Sequence, residues 1–281
     1  MAPDMTPLAT PIEALSPGAR ITNTQALRGG VSAQVTAVRF ITPDGAPDAV
    51  VVRQRGAVAW GERRSMEVEY ALLSHLHQTQ LPIPRPRLWW PPDTIVMDFV
   101  EGTAEVPRGG EARMATALAL VHEQAAPLLE QLPERESPLS EVQGLLAQSQ
   151  LADVHAAFDA AKHEKCLLHG DFSPANLLWR GEDLVAVLDW EDAALGDPLS
   201  DVACARAELA VASGQASCSA FTEHYFETTK RDATRLPLWD LYVAVTALEA
   251  MDQWSLAPQV LAHRRAATET FRDRALRQLM K

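Results

Sequence analysis

The spacing of hydrophobic and polar positions changes along the chain, and the changes divide it. Between Arg20 and Arg55 β-branched and apolar runs at 35–41 and 50–52 flank Pro43-Asp44-Gly45, a turn signal between two strands. Residues 62–77 then carry Met66, Leu72, Leu73 and Leu76 at helical spacing, with Pro82 beyond the end. The stretch 81–93, LPIPRPRLWWPPD, is too rich in proline for a helix and leads into a short apolar strand at 94–99. After Gly102 the texture becomes helical, at 111–126 and again at 139–162. Cys166-Leu167-Leu168 and residues 184–188 read as short apolar strands. From Asp201 onward helical patterns dominate, punctuated by Gly214 and Pro237. Residues 1–19, rich in Pro, Thr and Ala, read as a loose leader.

This order predicts an α+β chain with a small β-rich part at 20–102 and a larger, mainly helical part at 103–281. A length of 281 residues is enough for two such parts without disulfide staples. Cys166, Cys204 and Cys218 are an odd number of thiols with no CxxC pair, which predicts plain thiols in a reducing compartment. The N-terminus lacks the basic and apolar regions of a signal peptide, and no charge-free apolar run reaches membrane-spanning length, so a soluble, cytoplasmic protein is expected. A net charge of −12 argues against a nucleic-acid partner and is compatible with a cationic small molecule.

The most informative segment is His169-Gly170-Asp171-Phe172-Ser173-Pro174-Ala175-Asn176, followed by Leu188-Asp189-Trp190-Glu191. Asp171 and Asn176 share one proline-containing loop between apolar segments, and a hairpin can return Asp189 beside it. Two carboxylates and an amide oxygen make a hard, all-oxygen site suited to magnesium with phosphates. A carboxylate left off the metal could accept a proton from an attacking hydroxyl. Singly, each of these residues reads as a turn former or helix cap; the joint pattern of HGDxxxxN, an apolar strand, DW and GDP carries the functional reading.

This pattern closely resembles the aminoglycoside phosphotransferase and choline kinase superfamily, whose loop matches the protein-kinase H-R-D-x-x-x-x-N, with LDWE where D-F-G would stand. The resemblance implies a protein-kinase-like two-lobed fold, with the lobe boundary near Gly102 and one site served by both lobes. It makes Asp171 the catalytic base and Asn176 and Asp189 the magnesium ligands, with His169 organising the loop. ATP or GTP would be the phosphoryl donor, and the acceptor a small molecule with a hydroxyl: an aminoglycoside, amino alcohol, sugar or macrolide. Gly29, Gly30 and Ser32 would cover the phosphates. Arg53, where the family's lysine is expected, would clamp them, partnered by Glu69 on the following helix, with Glu67 the fallback. Met97, Asp98, Phe99 and Val100 would form the hinge. There adenine would meet the Asp98 carbonyl and the Val100 N–H, with Met97 and Phe99 near the ring. Asp197 and Asp201 of the GDPxxD pattern read as structural, as does His122. Glu191 and Asp192 read as surface acids, or as acids facing the ammonium groups of an acceptor. Arg53, and Ser173 where a histidine is often found, motivate a second reading, a nucleotide-binding pseudokinase or regulatory module. A protein kinase is the remoter third, for want of an A-P-E segment.

Overall fold

The computed structural model describes residues 6–27, 33–56, 65–124, 129–145, 165–254 and 256–280. Internal contacts divide the chain into two units, 1–102 with 185–191 and 103–184 with 192–281.

The first unit is built on a five-stranded antiparallel sheet in the order β1-β2-β3-β5-β4. Its strands are β1 (Arg20–Ala26), β2 (Ala33–Ile41), β3 (Pro47–Arg55), β4 (Pro86–Trp90) and β5 (Thr94–Asp98). Side chains alternate between the faces of a strand, so the register decides what each face carries. Val38 and Phe40 of β2, Val50 and Val52 of β3 and Val96 of β5 form one buried face. Val51 and Arg53 fall on the other, with Arg53 opposite Val35 on β2 and Ile95 on β5. The β2–β3 turn is the expected one: Gly45, at φ +88°, donates to Thr42 O at 2.9 Å.

Two features of this unit depart from the sequence reading. The supposed leader contains a helix, α1 (Thr6–Leu15), whose Leu8 and Ile12 complete the buried face of the sheet. Its apolar residues Leu8, Ile12 and Leu15 lie at i, i+4 and i+7, and burying them outweighs the cost of Pro11 inside the helix. The proline-rich stretch itself contributes a strand, β4, at the sheet edge, where proline's missing N–H is tolerated. The following helix is α2 (Met66–Leu76), with Ser65 accepting the Glu67 N–H at its start; it packs on β4 and β5.

In the second unit α3 (Glu111–His122) and the short α4 (Leu139–Val142) precede the strands β6 (Cys166–Leu168), β7 (Leu177–Arg180), β8 (Asp183–Val187) and β9 (Ala194–Gly196). The unit division falls within β8. β6 pairs with β9, which the sequence reading did not foresee. Four helices complete the chain: α5 (Leu199–Ala212), α6 (Gln215–Thr229), α7 (Leu236–Ala250) and α8 (Pro258–Leu279). Pro237 lies in the first turn of α7 rather than between helices. α5 is the central helix, packing on α6, α7 and α8, and Val202, Ala203, Ala205 and Leu209 are buried on it. Buried Arg206 of α5 donates to Asp240 of α7 at 3.0 and 2.9 Å, tying the two helices together. Among the described residues no helix is long and apolar enough to cross a membrane.

Candidate active site

In the first unit the sheet face opposite α1 carries a buried cation. Arg53, 8% exposed, donates through Nη1 to both Glu69 carboxylate oxygens, at 2.8 and 2.9 Å. Glu69 is as deeply buried, whereas the fallback Glu67 is exposed, so the helical spacing of α2 selects one acid over the other. Nη2 donates to Glu191 Oε2 at 2.5 Å and lies 3.6 Å from Asp189 Oδ1. Burial by itself would favour the neutral guanidine. The charges of Glu69, Asp189 and Glu191 more than offset it and hold the guanidinium above its ordinary value, so Arg53 is a permanent cation.

Glu191 corrects the sequence reading: it is an Arg53 partner, not an uncommitted surface acid. Asp189 has a left-handed backbone, φ +61°, unusual for a residue with a side chain. The chain is pinned just before it, where the Val187 N–H meets Pro82 O at 2.8 Å and Trp190 Nε1 donates to Val187 O at 3.2 Å.

The hinge candidates lie at the end of β5. Phe99 N donates to Ala49 O at 3.2 Å, while Asp98 N turns away from β3 to Arg85 O at 2.9 Å. The Asp98 side chain meets Arg87 at 3.5 Å, and the Arg39 guanidinium sits 5.3 Å from the Phe99 ring centre. Met97 stands opposite Val51, on the sheet face of Arg53. Gly29, Gly30 and Ser32 lie outside the described residues.

In the second unit the loop after β6 is organised from α5. Asp201 Oδ2 accepts the His169 N–H at 2.7 Å and Oδ1 accepts the Gly170 N–H at 2.9 Å. Buried His122 lies 3.2 Å from the same carboxylate through Nε2 and 2.7 Å from the Tyr225 hydroxyl through Nδ1. Burial works to raise the Asp201 pKa, but the bond to His122, the charges of His122 and His169 and the Gly170 N–H outweigh it and hold the carboxyl below its ordinary value. Gly170 is required for its backbone: φ is +90°, and a Cβ there would stand 2.0 Å from Asp192 O.

Held this way, the loop presents Asp171 and Asn176 together. Asn176 Nδ2 donates to Asp171 Oδ2 and to Asp171 O, both at 2.9 Å. Asp171 N approaches His169 Nδ1 at 3.3 Å, and fully buried His169 packs edge-on against Phe172. Asp197 has the structural work the sequence suggested. Its Oδ1 caps α5 through the Leu199 N–H at 3.0 Å, and its Oδ2 takes Arg235 Nε at 3.1 Å and Trp239 Nε1 at 3.0 Å. The sequence reading missed Cys204, whose thiol donates to Asp171 Oδ1 at 3.5 Å. Its position three residues after Asp201, hence on the same helix face, was the available signal.

A buried, acid-braced cation and an aspartate–asparagine loop are the parts phosphoryl transfer calls for. Residues 23–242 match the family described as the phosphotransferase enzyme family. The chain belongs to the phosphotransferase enzyme family. Over 43 residues, 15% of the chain, it is 46% identical to acyl-CoA dehydrogenase family member 11 of Rattus norvegicus, a match that spans 6% of that protein. Among solved structures it is similar to the choline kinase LicA of Streptococcus pneumoniae, with a TM-score of 0.66 and 15% identity over 98% of each chain. It is also similar to wild-type aminoglycoside 2'-phosphotransferase-IIIa in its GDP complex, with a TM-score of 0.60 and 17% identity over 96% of this chain and 99% of that one. These likenesses establish the kinase-like α+β fold of this family member.

Proposed function

We propose that the protein transfers the terminal phosphoryl group of ATP or GTP, in a magnesium-dependent reaction, to a hydroxyl of a small molecule. The observation that carries this reading is the Asp171–Asn176 pair, locked by two hydrogen bonds on a loop whose backbone is held by buried Asp201. The acceptor hydroxyl would give its proton to Asp171 as its oxygen attacks the terminal phosphorus. The bond from that phosphorus to the bridging oxygen breaks, and the nucleoside diphosphate leaves.

Magnesium, when bound, would neutralise charge on the phosphates. Asn176 and Asp189 would hold it, and they suit it: the Asn176 amide nitrogen is committed to Asp171, which leaves its oxygen as the donor, and Asp189 adds a carboxylate. Arg53, fixed in charge by its acidic neighbours, would hold phosphate oxygens. Gly29, Gly30 and Ser32 would cover them. The adenine or guanine ring would meet the Asp98 carbonyl and the Val100 N–H, beside Met97 and Phe99. The GDP held by the aminoglycoside enzyme supports nucleotide use. Choline and aminoglycosides, the acceptors named for the two similar structures, are both cationic, which suits a chain of net charge −12.

The test is calorimetric binding of magnesium ATP and magnesium GTP, followed by diphosphate release over a panel of hydroxyl acceptors that includes choline, aminoglycosides, macrolides and sugars. Asp171→Asn is the control and is expected to bind nucleotide but not turn over. Absence of nucleotide binding overturns the proposal. Binding without turnover across the panel favours a regulatory module. Undiminished turnover by Asp171→Asn refutes the assignment of the base.

A further inference from the structure

Asp171 is gripped on both oxygens. Oδ2 accepts from the Asn176 amide at 2.9 Å and Oδ1 from the Cys204 thiol at 3.5 Å. The second grip comes from the helix that organises the loop. Asp201 and Cys204 are three residues apart on α5, so one face of that helix holds the loop backbone at His169 and Gly170 and the loop side chain at Asp171. Most of α5 is buried, but Cys204 and Glu208, one turn on, are only partly so. Cys204 therefore stands at the margin of the core beside Asp171 Oδ1, unlike buried Cys166 and Cys218.

The thiol is a proton donor and not a nucleophile. Burial first, then the charges of Asp171, Glu208 and Asp201, push its pKa well above the ordinary thiol value, which disfavours the thiolate that metal binding or nucleophilic attack would need. A carboxylate oxygen offers two lone-pair sites, so Oδ1 can hold the thiol proton and still accept a second donor. A carboxylate bonded through one oxygen only has a broad, roughly two-fold torsion about its last bond. A second bond on the other oxygen fixes the plane of the group.

We propose that Cys204 is a positioning residue for Asp171, its thiol fixing the carboxylate plane so that the free site of Oδ1 faces the acceptor hydroxyl. This rests on the reading of Asp171 as the proton acceptor.

Two measurements on the full chain test it. The first is the infrared S–H stretch of Cys204, assigned by its loss in Cys204→Ser. The band is expected to move to higher frequency in Asp171→Ala, where the acceptor oxygen is gone; a band that does not move overturns the proposal. The second compares turnover of magnesium ATP and magnesium GTP with choline and an aminoglycoside as acceptors, or with water where neither is used. Cys204→Ser, which keeps a donor, is expected to retain at least half of kcat. Cys204→Val, close in size but without a donor, is expected to lose roughly tenfold in kcat with nucleotide KM and thermal midpoint little changed. A mere packing role would reverse that order, since valine fills the site and serine adds polarity. Valine at wild-type kcat, or serine no better than valine, overturns the positioning role. If Asp171→Asn still turns over, the reading of the base has failed instead; if Asp171→Asn is dead and Cys204→Val is normal, only the present inference has.

Discussion

At the scale of single residues the first unit is decided by one cation among three acids. Arg53 spends Nη1 on Glu69 and Nη2 on Glu191, so each acid holds a different edge of the same planar fork. Lysine, a point charge on a flexible stem, could not make that arrangement. Glu69→Ala leaves Arg53 buried with half of its bracing. We expect a loss of about 1–3 kcal/mol by chemical denaturation and a nucleotide KM raised roughly tenfold. Glu67→Ala, on the exposed side of α2, is expected to stay within about 0.5 kcal/mol with KM unchanged. Equal effects from the two variants would disprove the pairing. The choice of Glu69 over Glu67 comes from the family resemblance, and the structure agrees with it, since Glu69 is buried on the α2 face of Met66, Leu72 and Leu73 while Glu67 is exposed. The Glu191 contact was not legible in the sequence, because it joins residues far apart in the chain and depends on the left-handed turn at Asp189.

At the scale of elements, the order of strands and helices was legible wherever period and turn chemistry agreed, as at β2, β3, α2 and the helices after Asp201. It failed where proline spoke locally and burial decided otherwise. α1 and β4 both carry prolines, and both form because the sheet covers their apolar residues, which no local pattern reports. Ile12→Ala should therefore cost about 2–5 kcal/mol, as a core truncation does, although it lies in a segment that reads as a loose leader. A denaturation midpoint like that of the unaltered chain would show that α1 does not hold the sheet. The loop before Asp171 gives a sharper contrast. Gly170→Ala meets a backbone carbonyl that cannot yield, at 2.0 Å and at φ +90°, and should abolish folding or cost more than about 3 kcal/mol. Gly181→Ala, at φ +61° in open space, should cost only about 1–2 kcal/mol. Thermal denaturation of the two variants, measured side by side, checks the order.

At the scale of the whole molecule, buried ionisable groups set the pH range of stability. Asp201 is held below its ordinary pKa, so its contribution is present above about pH 4, the ordinary carboxylate value, and is lost only as pH falls through its lower native value. The alkaline side is governed by groups shifted the other way. Burial raises the pKa of Cys218, more than offsetting the nearby Arg206 charge, and it also raises Cys204 and Tyr225. An unfolded thiol ionises at about pH 8.5, whereas a native thiol with a raised pKa keeps its proton to higher pH, so between the two the unfolded chain binds fewer protons and stability falls with rising pH. Each such thiol contributes a slope of up to about 1.4 kcal/mol per pH unit until its native pKa is reached, and Tyr225 adds its own above about pH 10. Cys218→Ala should lower stability by a constant amount below about pH 8, because the cavity costs the same at every pH, while flattening the fall above the ordinary thiol pKa. Urea midpoints across that range decide the matter. An unchanged slope in Cys218→Ala would mean that the thiol ionises as readily in the folded protein as in the unfolded chain, and that α6 does not seal it from water.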